Sequence, residues 1–194
     1  MNLILASKSP RRKEILSKLG YTFCVIPALK DEVFKGQDID AALKNVALSK
    51  VKEVFEKHNN DCIIGADTIV VYDGQILQKP ASKTEAFKTL KMLSGKVHEV
   101  KTAVALCSPN HEVVDVVTTK VYFKELSDDR INDYVNKGTC MDKAGSYGIQ
   151  EVDFVVRPQG CPSRSAVQQA LNFIKSGQKP RNYAVSGVFP FQMV

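Results

Sequence analysis

The sequence lacks the features of several large classes of protein. No apolar run in its 194 residues approaches the roughly 20 residues that cross a membrane, so we expect no membrane segment. Its first residues carry no basic region followed by a long apolar one, which predicts a cytoplasmic protein rather than a secreted one. Its five cysteines are scattered without a Cys-x-x-Cys pair, so we expect reduced thiols rather than a disulfide framework or a zinc site.

Catalytic histidine arrangements are missing as well. His58, His98 and His111 fall at predicted turns or strand edges without the spacing of metal ligands, and we interpret all three as structural. There is no Ser-His-Asp or Cys-His arrangement, which argues against covalent acyl transfer. The Gly-Lys-Ser/Thr ending of a nucleotide-binding P-loop is also absent.

What the sequence contains is typical of a globular α/β protein. A hydrophobic content of 44% is enough for a full core, and the net charge of +6 favours anionic partners. The basic residues are spread along the chain without an aromatic-rich binding motif, which argues against nucleic acid. Helical and strand patterns are mixed, which predicts a mixed, twisted sheet flanked by helices in one domain over residues 1–175. An irregular tail is expected over 176–194.

The first motif joins a strand, a polar loop and a helix. The apolar run 3–6 predicts a buried strand, and Ser9 followed by proline predicts a helix start. Free N–H groups and the positive end of the dipole make such a helix start a phosphate site, and arginine adds a two-pronged grip. A surface helix with solvated arginines is the alternative. The candidate phosphate ligands here are Ser7, Arg11 and Arg12.

The second motif places an acid within an apolar stretch. Residues 62–72 read Cys-Ile-Ile-Gly-Ala-Asp-Thr-Ile-Val-Val-Tyr, and we expect Asp67 to lie at the end of a core strand. The small residues Gly65 and Ala66 would allow a ligand to approach closely. A partly buried carboxylate can hold a metal or take a proton from water. An aspartate that caps a turn is the alternative.

Two further polar stretches could lie near Asp67 and the start of the first helix. Lys79 ends the return strand of a hairpin that the turn Asp73-Gly74 predicts. The loop 142–148 reads Asp-Lys-Ala-Gly-Ser-Tyr-Gly and combines an acid, a base and two glycines. Such a loop can approach a ligand closely, although many loops of this composition are merely turns.

Taken together, these stretches resemble the Maf family of nucleoside triphosphate pyrophosphatases. The matching segments follow the family's order and are 3–12, 65–68, 79–80, 93–95 and 142–150. The resemblance implies hydrolysis of a nucleotide to its monophosphate and pyrophosphate with a divalent metal, Mg²⁺ or Mn²⁺. It also implies two lobes around a deep cleft, in a fold related to inosine triphosphate pyrophosphatases.

The resemblance implies a role for individual residues. Asp67 matches the family's proton acceptor, and Glu32 matches an acidic residue near the metal, so these two carboxylates are the expected metal ligands. The residues expected to hold the phosphate chain are Ser7, Arg11 and Arg12. Further cleft candidates are Lys50, Lys79, Asp142 and Lys143.

Three positions bear on the substrate. Arg11, Thr68 and Gln150 match the residues that set specificity in the subgroup acting on dTTP and UTP. An amide such as that of Gln150 can pair with the N3–H and a carbonyl of uracil or thymine. The alternatives are the same reaction on 7-methyl-GTP or another modified nucleotide, and a catalytically weak nucleotide-binding or nucleic-acid-binding protein. The expected partner is the nucleotide; a homodimer stays open, and no membrane partner is expected.

The chain departs from the family's pattern after Gln150. Residues 160–163, Gly-Cys-Pro-Ser, resemble the family's segment before its last helix, which leaves an intervening hairpin largely missing. The alternative places that segment at 183–190 and treats 160–177 as an insertion. We prefer the first alignment because a helical pattern follows Pro162 and none follows Pro190.

Overall fold

The computed structural model describes residues 1–29, 34, 38–149 and 151–156. The predicted last helix, the tail 176–194, Glu32 and Gln150 lie outside the described residues. Within these residues the elements are β1 (Leu3–Leu5), α1 (Pro10–Lys18), β2 (Cys24–Val25), α2 (Ile39–Phe55), β3 (Cys62–Tyr72), β4 (Gln75–Leu77), α3 (Lys83–Leu93), β5 (Val97–Ser108), β6 (His111–Phe123), α4 (Asp128–Asn136) and β7 (Val155–Val156).

The strands form one mixed sheet, which confirms the predicted fold class. Its order is β2-β1-β3-β5-β6-β7, and β4 also pairs with β3. β1 runs parallel to β2 and β3, whereas the remaining pairs are antiparallel. No helix in the described part of the chain is long and apolar enough to cross a membrane.

Helix α2 covers one face of the sheet. Its start is fixed by Asp38, whose carboxylate accepts hydrogen bonds from the N–H groups of residues 40 and 41. Its apolar residues at helical spacing, Leu43, Ala47, Val51 and Val54, are buried against residues of β1, β3 and β5. The helix lies so close to β3 that a Cβ built on Gly65 would be 2.7 Å from Cγ2 of Val51.

The other face carries the remaining helices. Leu16 of α1 packs on Leu5 and Ile64 near the start of β3, while α3 and α4 pack around Val70 and Phe123. β3 and β5 run through both the α2 cluster and the α3–α4 cluster. The described apolar residues thus form clusters on both faces of one sheet, and the division into two lobes stays a prediction.

Two short strands, β1 and β4, pair with the same edge of β3, and a gap separates them along that edge. β1 pairs with residues 62–64, and β4 pairs with residues 70–72. Among the described residues no strand pairs with 65–69 on that side. The gap matters because Asp67 and Thr68, which are neighbours on β3, both line a cavity there.

Asp67 lies in the middle of β3, so the prediction that it ends a core strand is wrong. β5 pairs with β3 continuously from residue 63 to residue 71, and Asp67 itself lies opposite Ala103. This long antiparallel partner keeps the strand regular through Gly-Ala-Asp. The local composition indicated an interruption that the neighbouring strand overrides.

Capping residues and turn residues mark where several other helices and strands begin or end. Ser82 and Ser127 accept hydrogen bonds from N–H groups in the first turns of α3 and α4, as N-caps do. Asp73 and Gly74 have φ angles of 50° and 71°, as a tight hairpin requires. The sequence patterns of 21–26 and 152–156 predict strands of six and five residues, but β2 and β7 have only two residues each.

The close approach of α2 to β3 generates a prediction about Gly65. A Gly65→Ala substitution should lower the free energy of unfolding by about 1–3 kcal/mol, because the added methyl overlaps the Val51 methyl. Urea denaturation measures the effect, with Val51→Ala as the matched variant. The double variant should lose less stability than the sum of the two single losses. Strictly additive losses would contradict the proposed overlap.

Candidate functional site

A cavity of about 460 Å³ is lined by residues on both sides of the gap in the sheet. Its walls come from the loop after β1, the central part of β3, the segment after β4, and the loop 142–147. The carboxyl end of a parallel strand next to such a change in sheet order is a frequent ligand site in α/β proteins. The cations that line it are Lys8, Arg11, Arg12, Lys50, Lys79 and Lys143, and the acids are Asp67 and Asp142.

The loop after β1 presents the start of α1 to this cavity. Ser7 is buried, and its Oγ accepts hydrogen bonds from the N–H of Ser9 at 3.2 Å and from Nη1 of Arg12 at 3.1 Å. Ser9 precedes the helix as predicted, but its own side chain makes no capping hydrogen bond. Ser7 therefore shapes the loop and holds Arg12 over the helix start, where an anion would bind.

Asp67 and Lys50 form an ion pair in the wall of the cavity. Lys50 Nζ lies 2.5 Å from Asp67 Oδ1, and the side chains are only 14% and 5% exposed, respectively. A buried ion pair needs good geometry to offset the lost hydration of both charges. Lys50 comes from the buried face of α2, between Val46 and Val54 at helical spacing. A lysine within this apolar pattern is a local signal for the cleft residue that the family resemblance already implied.

Thr68 reaches the cavity from the opposite face of β3. Successive side chains of a strand point to opposite faces, so Asp67 lies on the α2 side and Thr68 on the other. Thr68 Oγ1 lies 3.0 Å from Oγ1 of Thr102, its buried partner on β5. Both side chains line one cavity because this edge of β3 is unpaired within the described residues.

Lys143 and Asp142 line the cavity from the glycine-rich loop, where they also bind each other. Lys143 Nζ donates to the carbonyl of Thr139, and it lies 3.0 Å from Asp142 Oδ1 and 3.3 Å from Glu151 Oε1. Burial alone would lower the pKa of Lys143, but the hydrogen bonds from the two carboxylates outweigh it and raise that pKa. Lys143 therefore stays charged and ties the two ends of the loop together.

The backbone of this loop is held in an uncommon conformation. Gly145 has a φ of 67°, and a Cβ there would lie 2.9 Å from the methyl groups of Val70. Ser146 follows with a φ of 64°, a region that residues with a Cβ seldom adopt. Ser146 is fully buried. Such a conformation persists only where the surroundings determine it.

His98 supports the same loop and was missed by the sequence reasoning. It is the second residue of β5, is 2% exposed, and places Nε2 2.6 Å from Tyr147 Oη. Burial lowers the pKa of His98 to about 4 and raises that of Tyr147 above its ordinary range, so both stay neutral. The period-two pattern of His98, Val100 and Thr102 was the signal that places this histidine inside the protein.

The cavity brings most of the predicted site residues together. Those that line it are Ser7, Arg11, Arg12, Lys50, Asp67, Thr68, Lys79, Asp142 and Lys143. Glu32 and Gln150 lie outside the described residues. The individual roles of all these side chains stay predictions.

The carboxylates of the cavity suit a cation that binds mainly to its substrate. Nowhere in the described ranges do three His, Cys, Asp or Glu side chains lie together as a metal cage would need. Mg²⁺ is commonly held by one or two carboxylates together with substrate phosphates and water. Asp67, which lines the cavity beside the cationic groups, fits that pattern.

Comparisons with known proteins match most of the chain. Residues 2–164 match the family described as Maf-like protein. A dTTP/UTP pyrophosphatase of Koribacter versatilis is 50% identical over 151 residues, covering 77% of this chain and 78% of that protein. A dTTP/UTP pyrophosphatase of Geobacillus is 44% identical over 149 residues, covering 76% and 80%. Among solved structures, the Staphylococcus aureus Ham1 protein shares the fold, with a TM-score of 0.50, 13% identity, and coverage of 92% of this chain and 100% of that one.

The buried His98 predicts a pH dependence of stability. Its pKa is about 4 in the folded chain against 6.5 for the exposed group, so the unfolded state binds more protons between these values. Stability should therefore fall by about 2 kcal/mol from pH 7 to pH 5 through this group. Chemical denaturation of normal and His98→Gln protein measures it. The variant keeps a partner for Tyr147 without titrating, and an equal pH slope in both proteins would contradict the assignment.

Proposed function

The chain belongs to the Maf family, and on that basis we propose that it hydrolyses nucleoside triphosphates to the nucleoside monophosphate and pyrophosphate. One observation carries the proposal: the cavity gathers six cationic side chains and two acids, one of which, Asp67, is buried. The cations suit a phosphate chain, and the buried acid suits a proton acceptor beside it.

The phosphate chain binds at the start of α1. N–H groups at a helix start attract anions, and the arginine fork can hold two phosphate oxygens at once. Ser7 holds Arg12 in place for this contact. Arg11 and Lys79 line the same cavity and offset the charge that builds up on the departing pyrophosphate.

The chemistry is a displacement at the α-phosphorus. Asp67 takes a proton from a water molecule, whose oxygen forms a bond to the α-phosphorus. The bond from that phosphorus to the bridging oxygen breaks, and pyrophosphate leaves with the electron pair. Lys50, 2.5 Å from Oδ1 of Asp67, fixes the orientation of the carboxylate.

A divalent cation completes the proposed site. Asp67 and, by the family resemblance, Glu32 would hold Mg²⁺ or Mn²⁺. When bound, the cation offsets negative charge on the phosphate oxygens. Asp67 is thus proposed both to contact the cation and to accept the proton.

The proposed substrates are dTTP and UTP. The two relatives compared above carry that name, and Arg11 and Thr68, which match the specificity positions of that subgroup, both line the cavity. Gln150 supplies the third position by sequence. Sites that pair with a polar edge reject ligands that lack it, because their own groups are then left unpaired.

Two further proposals concern the setting of this activity. We retain a single domain over residues 1–175, since β3 and β5 run through both of its apolar clusters. We also retain a cytoplasmic location, which follows from the expected pool of nucleotide substrates and reduced thiols.

A substrate panel tests the activity and its specificity. Release of pyrophosphate from UTP, dTTP, CTP and 7-methyl-GTP is measured with and without Mg²⁺. We expect UTP and dTTP to lead CTP in kcat/KM, because cytosine lacks the N3 hydrogen and one carbonyl, and we expect release only with the metal. Preference for 7-methyl-GTP would overturn the subgroup assignment. Binding without release from any triphosphate would point to a catalytically weak binding protein.

The role of Asp67 is tested by an isosteric variant. Asp67→Asn should lower kcat for UTP by about 10²–10⁴-fold, because the amide cannot take the proton. Asp115→Asn, an exposed position on β6, is the matched control and should stay at the normal rate. Thermal denaturation of Asp67→Asn tests whether the loss comes from unfolding, because the substitution removes the charge that Asp67 presents to Lys50. Near-normal turnover by Asp67→Asn would eliminate it as the base.

A further inference from the structure

We propose that His98 is a positioning residue for this reaction, acting through Tyr147 to fix the glycine-rich loop (residues 142–149) against the cavity. The inference rests on the proposed function for its kinetic consequences. It concerns a residue outside the cavity that the proposed chemistry does not use.

Buried polar side chains in the described part of the chain are concentrated at the site. They are Ser7, Asp67, His98, Thr102, Lys143 and Ser146. Three of them line the cavity, Ser146 lies in the glycine-rich loop together with Lys143, and Thr102 contacts Thr68. Burying a polar group is unfavourable unless its hydrogen bonds are made. The position of His98 within this set indicates a role in the site rather than in the core alone.

The contact between His98 and Tyr147 is specific. Nε2 of His98 lies 2.6 Å from Oη of Tyr147, and the two rings are nearly perpendicular. Phe123 packs edge-on against both rings, with 4.8 Å between its ring centroid and each of theirs. Tyr147 is fully buried and lines the cavity. The hydrogen bond therefore restrains a cavity wall from behind.

The loop needs such restraint because its backbone is strained. The two consecutive positive φ angles occur at Gly145 and Ser146, which are both buried against the rest of the protein. Gly145 donates its N–H to the carbonyl of Gln78, and Gly148 donates to Tyr134 Oη at 3.1 Å. His98 adds an anchor from the sheet itself.

That anchor is placed on the strand that also backs the reacting groups. β5 carries His98 and, four and five residues on, the partners of Thr68 and Asp67 in the sheet register. One strand thus connects an anchor of the loop with the strand that carries Asp67. A small displacement of such a wall is enough to lower the rate of a reaction that depends on orientation.

The test removes each end of the hydrogen bond separately. Tyr147→Phe and His98→Leu should each lower kcat/KM for UTP by about 3- to 10-fold, measured at a temperature where every variant is folded. Combining them should cost no more than the larger single effect, because both break one contact. His98→Gln, which keeps a hydrogen-bonding group, should retain most of the activity.

Val121→Ala is the matched control for loss of packing. Val121 is the buried cross-strand partner of His98 on β6, belongs to the same apolar cluster, and lies outside the cavity. Val121→Ala should lower Tm while leaving kcat/KM within about twofold. Matching effects of Val121→Ala and Tyr147→Phe on kcat/KM would overturn the positioning role.

Hydrogen exchange separates this inference from the proposed function. The amides of Gly145 and Gly148 should exchange faster in Tyr147→Phe than in Val121→Ala at equal distance from Tm. Unchanged exchange in Tyr147→Phe would refute the anchor, whatever the activity. Faster exchange in a chain that hydrolyses none of the nucleotides would support the anchor and refute the proposed function.

Discussion

The ion pair between Lys50 and Asp67 is the contact on which the rest of the site depends. Both charges are largely removed from water, and each offsets part of the lost hydration of the other. Their distance is set by how closely α2 lies on β3, and Gly65 makes that approach possible because any larger residue would meet Val51. Core packing on one face of the sheet thus determines the position of the acid proposed to accept the proton.

The same dependence explains why the cavity lies at the gap in the sheet. A strand paired on both sides presents alternate side chains to two separate faces. Between the ends of β1 and β4, β3 is paired only with β5 among the described residues. Asp67 and Thr68 can therefore contribute to one cavity from opposite faces. Because β1 and β4 are short, they leave residues 65–69 of β3 unpaired on this side within the described part of the chain, and the cavity forms beside those residues.

Local signals sufficed for the elements that have local causes. The caps at Ser82 and Ser127 and the turn at Asp73 depend on neighbours within four residues, and the sequence predicts them there. For α2 the sequence allows Asp38 or Asp40 as the cap, and the structure has Asp38. The family resemblance supplied most of the residues that line the cavity. The gap in the sheet, the central position of Asp67 and the burial of His98 depend on partners far along the chain, such as β5, which no local pattern specifies.

β5 connects these long-range features. It keeps β3 regular through Gly-Ala-Asp, places Thr102 beside Thr68, and directs His98 toward Tyr147. His98 does not line the cavity. Burying its imidazole is nevertheless unfavourable unless the ring makes hydrogen bonds. The hydrogen bond to Tyr147 satisfies one ring nitrogen and restrains a strained loop at once. His98 and Thr102 of β5 are therefore best understood as supports of the cavity, in a strand whose buried apolar side chains belong to the core.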